Sequence, residues 1–498
     1  MRCFSRREFI QSATLSCGAF LVPHGAFAGE KPNLRFGAFS DPHVLDGNPD
    51  YWFKRSVSIF EWFRDQRVDA VLCCGDMAMD GVDYELKIFA DAWYAVFPGD
   101  KAPDGRPVEK LFVYGNHDSV GYRYGDFAKK KWPGDEAAQR EHSIYFDHAR
   151  HWEQTFREPY APIYAKTVKG YTFIGQHWDE ADDKLHGWHY YDHRRLGPWL
   201  DKHGAALRGD RPFFYFQHPN LKDTAFGSRV WGHDNGYATA ALAKYPNAVA
   251  FAGHSHSSPA DPRAIWQGDF TAIGLGSTAS TGGFSENRGK AGYENYDAPW
   301  GKDSNVYDRV KTMPNPELGP CYPLEVVDVY DDKIVIRNFS FATETDFYAD
   351  WVIPLPFRSS DKPYAFATRA KAAQAPQFPK GAKLVCREAK AKTRRTPKDE
   401  PVEKATLRLD FPAADAVKGA RAFEYEFRAT PADAAAAFTT WFVPTKGMAA
   451  PIDDPSAHAA QYFEIARDRL PKGPCVLAVT PLDAYGNRGR SITGRTRG

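Results

Sequence analysis

Five short apolar segments of this chain each end in polar side chains that could bind a metal ion. The segments, with the residues that follow them, are RFGAFS with Asp41 and His43, AVLCCG with Asp76, KLFVYG with Asn116, His117 and Asp118, FFYFQ with His218, and AVAFAG with His254 and His256. Each segment has the length and composition of a buried strand. Because side chains just beyond the carboxyl ends of strands in an open α/β fold converge on one crevice, we expect these residues to form a single site.

The residue types in this set indicate which ions such a site would bind. Carboxylates and imidazoles without a thiolate suit manganese, iron or zinc. With His117 and Asp118 set aside, the seven remaining candidate ligands are too many for one tetrahedral ion, but they fit two octahedral ions that share a bridging carboxylate. Two ions roughly 3.5–4 Å apart can clamp an in-line displacement at phosphorus. The sequence therefore predicts two divalent or mixed-valence transition metal ions and hydrolysis of a phosphate ester. Each motif taken alone would also fit a polar turn, so the prediction depends on their combination.

The order of these motifs resembles the calcineurin-like metallophosphoesterase superfamily. D-x-H, G-D, G-N-H-D, a single His and G-H-x-H follow one another between residues 34 and 345, and no motif is missing. The resemblance implies an α/β fold in which a two-sheet β core is flanked by helices. It also implies a role for each ligand: Asp41, His43 and His256 bind the first metal, Asn116, His218 and His254 bind the second, and Asp76 bridges the two.

The same resemblance assigns two residues to catalysis instead of metal binding. His117 would lie over the phosphate, where it would stabilise charge or protonate the leaving oxygen, and Asp118 would orient the His117 ring. The nucleophile would be a hydroxide that bridges the metals. Met79 stands where purple acid phosphatases carry a metal-binding tyrosine, so a tyrosine–iron charge-transfer centre is not expected.

The motifs leave the substrate open between a phosphodiester and a phosphomonoester. Two alternative functions also stay open: a binding scaffold that keeps the fold without catalysis, and catalysis combined with polymer or cell-surface binding by the C-terminal region. The scaffold is disfavoured because non-catalytic relatives usually lose metal ligands, whereas this chain keeps every one. The leading prediction is therefore a metal-dependent phosphoric ester hydrolase.

Other histidines and acidic residues near the predicted strand ends are interpreted mainly as structural. His177, His186, His189 and His193 lie in a segment dense in His, Asp and aromatic residues, for which substrate contact is the alternative. The remaining residues in this class are His142, His148 and His151, expected to be structural or at the surface, and Asp80 and Asp179, which could support the metal ligands.

The elements that must position the site follow from hydrophobic periodicity. Short apolar runs alternate with amphipathic stretches from residue 34 to 345, as in an α/β domain. Residues 119–170 and 276–320 show no clear period. Three further elements are predicted: a helix over 51–68 that buries Phe53, Val57, Phe60 and Phe63, a helix over 194–209, and a hairpin over 324–341 that turns at Asp331 and Asp332.

The character of the sequence changes after Pro354. Residues 356–380 are predicted to form a linker, and short strand-like runs over 381–498 predict an all-β sandwich. Its ending, VTPLDAYGNRG, resembles fibronectin type III-like domains. Cysteines fall in both regions: Cys73 and Cys74 are expected to be buried thiols, whereas Cys386 and Cys475 could pair in an oxidising compartment.

The first 28 residues predict export. They combine a basic start, a mildly apolar middle and the sequence Ala26-Phe27-Ala28 as a cleavage site. Arg6 and Arg7, with Phe9, resemble the twin-arginine signal of bacteria, and an ordinary secretory signal is the alternative. We therefore expect the mature protein in the periplasm or outside the cell.

The composition limits the classes of partner. Hydrophobic residues make up 43% of the chain, enough for a large core, and the formal net charge of +1 does not favour a polyanion such as nucleic acid. The apolar part of the N-terminal signal is too short for a transmembrane anchor. The expected partner is a small phosphate ester, and the oligomeric state stays open.

Overall fold

The structure is a computed structural model that describes most of the chain. The described residues are 30–120, 126–178, 194–225, 234, 236–279, 322–347, 350–358, 362–393, 402–417, 420–431, 439–444 and 460–496. The predicted signal peptide, Asp179, His186, His189 and His193 lie outside them, as does most of the 276–320 segment. Within the described part of the chain, no helix is both long enough and apolar enough to cross a membrane.

Two β-sheets form the N-terminal part of the molecule. Their strands, in chain order, are β1 (Leu34–Phe39), β2 (Ala70–Cys73), β3 (Glu109–Phe112), β4 (Ile163–Val168), β5 (Tyr171–Gln176), β6 (Phe213–Gln217), β7 (Ala248–Ala252), β8 (Ile265–Gln267), β9 (Thr271–Gly274), β10 (Pro323–Val329), β11 (Lys333–Ser340), β12 (Thr345–Asp346) and β13 (Trp351–Pro354). The first sheet has the order β12-β11-β10-β1-β2-β3, with β13 also paired to β11, and the second has the order β4-β5-β6-β7-β9-β8.

The strands that precede the candidate ligands run parallel within each sheet. β1, β2 and β3 are parallel neighbours whose last residues, Phe39, Cys73 and Phe112, pair in register. β6 and β7 are parallel neighbours in the other sheet. The five strands predicted from the sequence are thus present, and their carboxyl ends are level. The predicted hairpin is also confirmed, because β10 and β11 pair antiparallel around Asp331 and Asp332.

The two sheets pack face to face through aromatic side chains. The ring of Phe36 on β1 lies 5.1 Å from Phe173, 4.9 Å from Phe214 and 5.8 Å from Phe251, all on the second sheet. Each such contact is worth about 0.5–1.5 kcal/mol beyond the area that it buries. This inter-sheet core holds the ends of strands from different sheets against each other.

Nine α-helices occur in the described residues, several of which pack against the two sheets. They are α1 (Pro49–Asp65), α2 (Asp83–Val96), α3 (Asn116–Val120), α4 (Asp126–Lys131), α5 (Glu136–His142), α6 (His148–Phe156), α7 (Leu196–His203), α8 (Tyr237–Leu242) and α9 (Phe366–Ala372). The segment 119–170 is therefore largely regular, contrary to the expectation from its sequence. Its helices are short, so each shows too few turns for a period to stand out.

Helix α1 spans Pro49–Asp65, so it begins two residues before the predicted range of 51–68 and ends three residues before the end of that range. The Asn48 side chain accepts a hydrogen bond from the Tyr51 amide, and Pro49 opens the first turn. Phe60 and Phe63 are buried against the first sheet, whereas Phe53 and Val57 are only partly buried. The helix predicted over 194–209 corresponds to α7 and a 3₁₀ turn over Gly204–Leu207.

The C-terminal part of the molecule is all β, as predicted. Its strands are β14 (Val385–Thr393), β15 (Val402–Phe411), β16 (Glu424–Pro431), β17 (Thr439–Pro444), β18 (Gln461–Ala466), β19 (Cys475–Leu482) and β20 (Ile492–Arg495). They form the sheets β14-β15-β18 and β17-β16-β19-β20. Phe463 of the first sheet lies 4.3 Å from Phe427 of the second, so the two sheets share a core.

The four cysteines of the described residues are free thiols. Cys73 and Cys74 are buried, as expected. Cys386 lies on β14 and Cys475 on β19, which belong to different sheets, and no disulfide joins them. The disulfide that the sequence left open is therefore not formed.

Candidate metal centre

The structure brings all seven candidate ligands together at the carboxyl ends of β1, β2, β3, β6 and β7. Asp41 and His43 follow β1, and Asp76 follows β2. The other four are Asn116 after β3, His218 after β6, and His254 and His256 after β7. Because these strands belong to two sheets, the crevice lies where the two sheet edges meet and not within one open sheet.

Three of the ligands form a first group around the His256 ring. The Nε2 atom of His256 lies 3.1 Å from Asp41 Oδ1 and 3.1 Å from His43 Nε2. The distance from His43 Nε2 to Asp41 Oδ1 is 3.7 Å. Two imidazole nitrogens and a carboxylate oxygen thus face one point, which is the arrangement of a metal site.

A second group surrounds the His218 ring. The Nε2 atom of His218 lies 3.1 Å from Asp76 Oδ2, 3.0 Å from Asn116 Oδ1 and 3.1 Å from His254 Nδ1. Asp76 Oδ2 is also 3.7 Å from His43 Nε2 in the first group. The Asp76 carboxylate therefore stands between the two groups, where a bridging ligand would be.

The charges of this site favour bound cations. Asp41 and Asp76 are almost completely buried, and within the described part of the chain their ion pairs are to histidines alone. Burial alone would raise the pKa of Asp41, but the charges of His218 and His256 hold it well below its usual range. Burial alone would lower the pKa of His218, but Asp76 and Asp41 raise it to about 9. Two buried carboxylates in a set of nitrogen and amide donors fit a pair of divalent ions, which would supply the missing positive charge.

The backbone at the strand ends directs these side chains into the crevice. Five ligands have positive φ angles: Asp41 at 54°, His43 at 46°, Asp76 at 53°, His254 at 66° and His256 at 53°. Such left-handed residues cost on the order of 1–3 kcal/mol each and cluster at functional sites. Asp and His tolerate this region better than most residues, which fits their occurrence here.

Gly115 and Gly253 allow the segments after β3 and β7 to approach the Asp76 and Asp41 carboxylates closely. A Cβ atom on Gly115 would lie 2.2 Å from Asp76 Oδ1, and one on Gly253 would lie 2.4 Å from Asp41 Oδ2. Any other residue at either position would displace a candidate ligand. Only glycine allows the backbone to approach these carboxylates so closely.

Asp118 is not arranged as the sequence predicted. The Nδ1 atom of His117 lies 2.7 Å from the Met79 carbonyl, and its amide donates to Asp76 Oδ1 at 2.8 Å. The Asp118 carboxylate instead accepts from the amides of Ala78 at 2.6 Å and Gly115 at 2.8 Å. The expected contact from Asp118 to the His117 ring is therefore wrong: Met79 orients that ring, and Asp118 ties together the loops after β2 and β3. Burial and the charge of Asp76 raise the pKa of Asp118 to about 7.

The His117 ring nevertheless lies at the site. It packs edge-on against the His43 ring at 4.7 Å. One of its nitrogens belongs to a third potential ligand group with His43 and Asp76, whose ligand atoms all lie within 4.8 Å of one another. His117 therefore faces the side of the crevice between Asp76 and His43.

The other described histidines have structural environments. His177 accepts a hydrogen bond from the Tyr114 amide through Nδ1 and is buried among the rings of Tyr114, Trp152, Tyr160 and Tyr164. His142 lies 3.2 Å from Asp83, and His148 lies 3.2 Å from the Ser119 carbonyl. His151 is buried and accepts from Arg150. The Asp80 amide donates to Glu85 at 2.8 Å.

The sequence interpretation missed several groups that support the ligands. The Cys74 carbonyl lies 2.6 Å from His218 Nδ1, which leaves Nε2 of that ring free for a metal. Trp178 is buried and packs 6.1 Å from the His218 ring and 6.2 Å from the His254 ring. Ser277 donates through Oγ to the Asp41 carbonyl at 2.9 Å. A sequence does not show which backbone carbonyls or aromatic rings will contact a metal ligand. The one available signal was the position of Trp178, which follows the end of β5.

Similarity to known proteins agrees with this geometry. Residues 34–258 match the family model described as calcineurin-like phosphoesterase, so the chain contains a calcineurin-like phosphoesterase domain. No curated protein matches the chain.

Solved structures with some similarity include a dimetal phosphatase from Danio rerio, with 12% identity, a TM-score of 0.37 and coverage of 66% of this chain and 100% of that one. A purple acid phosphatase from yellow lupin (Lupinus luteus) seeds has 13% identity and a TM-score of 0.34, covering 65% of this chain and 55% of that one. Vacuolar protein sorting 29 from Cryptosporidium parvum has 10% identity and a TM-score of 0.26, covering 64% and 97% respectively.

Proposed function

We propose that this protein is a metal-dependent phosphoric ester hydrolase that cleaves P–O bonds of phosphodiesters or phosphomonoesters at a site for two metal ions. One observation carries the proposal: the Asp76 carboxylate stands between two separate groups of ligands, 3.1 Å from His218 Nε2 and 3.7 Å from His43 Nε2. The calcineurin-like phosphoesterase domain supports the same reaction class.

The ligands divide between the two ions as follows. The first ion would be held by Asp41, His43 and His256, the second by Asn116, His218 and His254, with Asp76 shared. Manganese, iron or zinc fits these donors. Two such ions would supply Lewis-acid chemistry, lowering the pKa of water and offsetting the negative charge of the phosphate.

We propose His117 as the residue that transfers a proton. Its Nδ1 atom lies 2.7 Å from the Met79 carbonyl, so that nitrogen carries a hydrogen and the carbonyl orients the ring. A protonated imidazole there would donate to the leaving oxygen of the ester, and general acids of this kind contribute about 10²–10⁴-fold to the rate. Asp118 would act indirectly, because its carboxylate holds the loops after β2 and β3 together at the site.

Export to the periplasm or beyond the cell is a further part of the proposal. It is supported by the basic N-terminus, the paired Arg6 and Arg7 and the Ala26-Phe27-Ala28 sequence. The fibronectin type III-like character of residues 381–498 is likewise a proposal, supported by the VTPLDAYGNRG ending and the all-β sheets.

The test is a metal-reconstitution assay. Metal-free protein would be loaded with Mn²⁺, Fe²⁺ or Zn²⁺, its metal content measured by mass spectrometry, and its activity measured on bis-p-nitrophenyl phosphate and p-nitrophenyl phosphate. We expect about two ions per chain and hydrolysis of at least one of the esters. Protein that binds no metal and leaves both esters intact would favour the non-catalytic scaffold.

A further inference from the structure

The segment that carries His254 and His256 continues into a buried loop. Residues 253–261 are all buried, although they form neither a helix nor a strand. The loop is braced from within, because the Arg263 side chain donates to both carboxylate oxygens of Asp261, at 2.9 Å to Oδ1 and 2.6 Å to Oδ2. The Asp261 amide in turn donates to the Ser258 carbonyl at 3.0 Å. The positions of His254 and His256 therefore depend on the contacts that hold the C-terminal end of this loop, near residue 261.

Helix α9 and the residues before it hold that end. Arg369 on α9 donates through its guanidinium to the Ile265 carbonyl at 3.2 Å, at the start of β8. Tyr364 and Gln267 exchange hydrogen bonds, with the Tyr364 amide donating at 3.0 Å and the Gln267 amide donating at 3.3 Å. Strand β8 follows Arg263 directly, so these contacts anchor the loop where it returns to the second sheet.

The turn between β19 and β20 of the C-terminal sandwich also contacts helix α9. The Tyr485 ring lies 5.5 Å from the Phe366 ring and 5.5 Å from the Arg369 guanidinium. The same guanidinium lies 5.5 Å from the Tyr364 ring, so it contacts one tyrosine from each part of the molecule. Asn487 donates to the Ala370 carbonyl at 3.2 Å. Arg369 is nearly buried, which strengthens its interaction with the rings.

The turn itself is rigid. The Asp483 carboxylate accepts from the amides of Tyr485 and Asn487, at 2.8 Å each, and from the Asn487 side chain at 2.8 Å. Asp483 is buried, and the positive charge of Arg263 acts on it across the junction. Residues 483–487 therefore present a fixed surface to α9 and to the end of the ligand loop.

We infer that the turn at residues 483–487 of the C-terminal sandwich positions the metal-binding loop of His254 and His256, with Tyr485 acting through Arg369. The inference rests on the proposed metal centre. It assigns the C-terminal sandwich a role in metal binding in addition to any partner that it binds. Residues that support metal ligands typically contribute 10–100-fold to affinity, and the distance of Tyr485 from the ligands places it at the lower end of that range.

The test compares Mn²⁺ affinity in full-length variants, measured by isothermal titration calorimetry at a temperature well below unfolding. Tyr485→Ala should weaken Mn²⁺ binding about 10-fold. Tyr485→Phe keeps the ring beside Arg369 and should restore the wild-type affinity. Tyr462→Ala is the matched control, because Tyr462 is an exposed residue of the same sandwich whose ring contacts Arg408. It should bind Mn²⁺ like the wild type.

Equal Mn²⁺ affinity in Tyr485→Ala and the wild type would overturn the inference, whatever the melting temperature of the variant. If Tyr485→Ala does not fold, Arg369→Lys provides the same test, because lysine keeps the charge but loses the planar group between the rings; wild-type affinity in that variant would also overturn it. A wild type that binds two Mn²⁺ ions but hydrolyses no ester would contradict the proposed function alone. A wild type that binds no Mn²⁺ would contradict both.

Discussion

The two ligand groups of the site are built alike but supported differently. In each group one histidine nitrogen lies about 3 Å from the other ligands: His256 Nε2 in the first and His218 Nε2 in the second. The second group is fully buried at His218, whose ring is held by the Cys74 carbonyl and packed by Trp178. In the first group His43 and His256 are 7% and 8% exposed, and His43 Nδ1 has no hydrogen-bond partner among the described residues.

This difference has a consequence for the two ions. Ligands whose orientation is fixed before binding lose less entropy and hold a metal more tightly. The metal position around His218 should therefore retain its ion under conditions in which the position around His256 has lost its ion. The five substitutions below test this comparison, from the largest expected effect to the smallest.

Asp76→Asn should affect both positions at once. The substitution keeps the size of the side chain but removes the charge that stands between the two groups. We expect the metal content to fall to one ion per chain or fewer and kcat/KM to fall on the order of 10³-fold. Mass spectrometry of the purified variant and steady-state assays measure both quantities. Retention of two ions with normal activity would show that Asp76 is not a bridging ligand.

His256→Ala and His218→Ala should each remove one ion. With His256→Ala the second position stays intact, and a single Mn²⁺ should give the electron paramagnetic resonance spectrum of an isolated ion. His218→Ala should lose the more tightly held ion and bind the remaining one more weakly than His256→Ala does. If the order of the two affinities is reversed, the second group is not the better-supported one.

His117→Ala should lower kcat without removing metal. The ring nitrogens lie close to His43 and Asp76, but one is held by the Met79 carbonyl. We expect a loss in kcat of about 10²–10³-fold with close to two ions per chain. His142→Ala is the control, because His142 pairs with Asp83 on the periphery. Loss of one ion in His117→Ala would make His117 a ligand of the first position.

Asp118→Asn should have the smallest effect, and chiefly on stability. Both carboxylate oxygens accept backbone amides, so an amide side chain would set its own N–H group against the N–H of Ala78 or Gly115. One buried donor would then lack an acceptor, which costs about 1–3 kcal/mol. Chemical denaturation measures that loss. An unchanged free energy of unfolding with a large loss of kcat would instead support the role expected from the motif, in which Asp118 orients the His117 ring.

Much of the fold could be predicted because its signals are local. The apolar runs before Asp41, Asp76 and His218 are strands, as their composition indicates, and the strands of the C-terminal sheets fall where short alternating runs occur. The helices of residues 119–170 were missed because each spans only a few residues. The ligand residues are ordered along the chain in a pattern that resembles one superfamily, and the domain over 34–258 confirms that resemblance.

The contacts that support the site could not be predicted in this way. The sequence places Asp118 beside His117, yet folding turns the carboxylate toward the amides of Ala78 and Gly115. The Met79 carbonyl holds the His117 ring instead, and a carbonyl is present at every position of a chain. Trp178, after β5, packs near the His218 ring, after β6, only because these two strands are neighbours in the second sheet. Such contacts depend on which segments meet, and spacing within one segment carries no information about that.

By itself, then, the sequence determined the kinds of ligand, their order, the α/β class of the first part and the β class of the second, because residue type and short-range periodicity set these directly. The tertiary structure decided that the ligands come from two sheets, which ligands form each group, and which carbonyls and rings orient them. It also decided that the turn around Tyr485 lies against Arg369, more than a hundred residues away. These features depend on how the sheets stack and on which polar groups find partners when water is excluded, so they exist only in the folded chain.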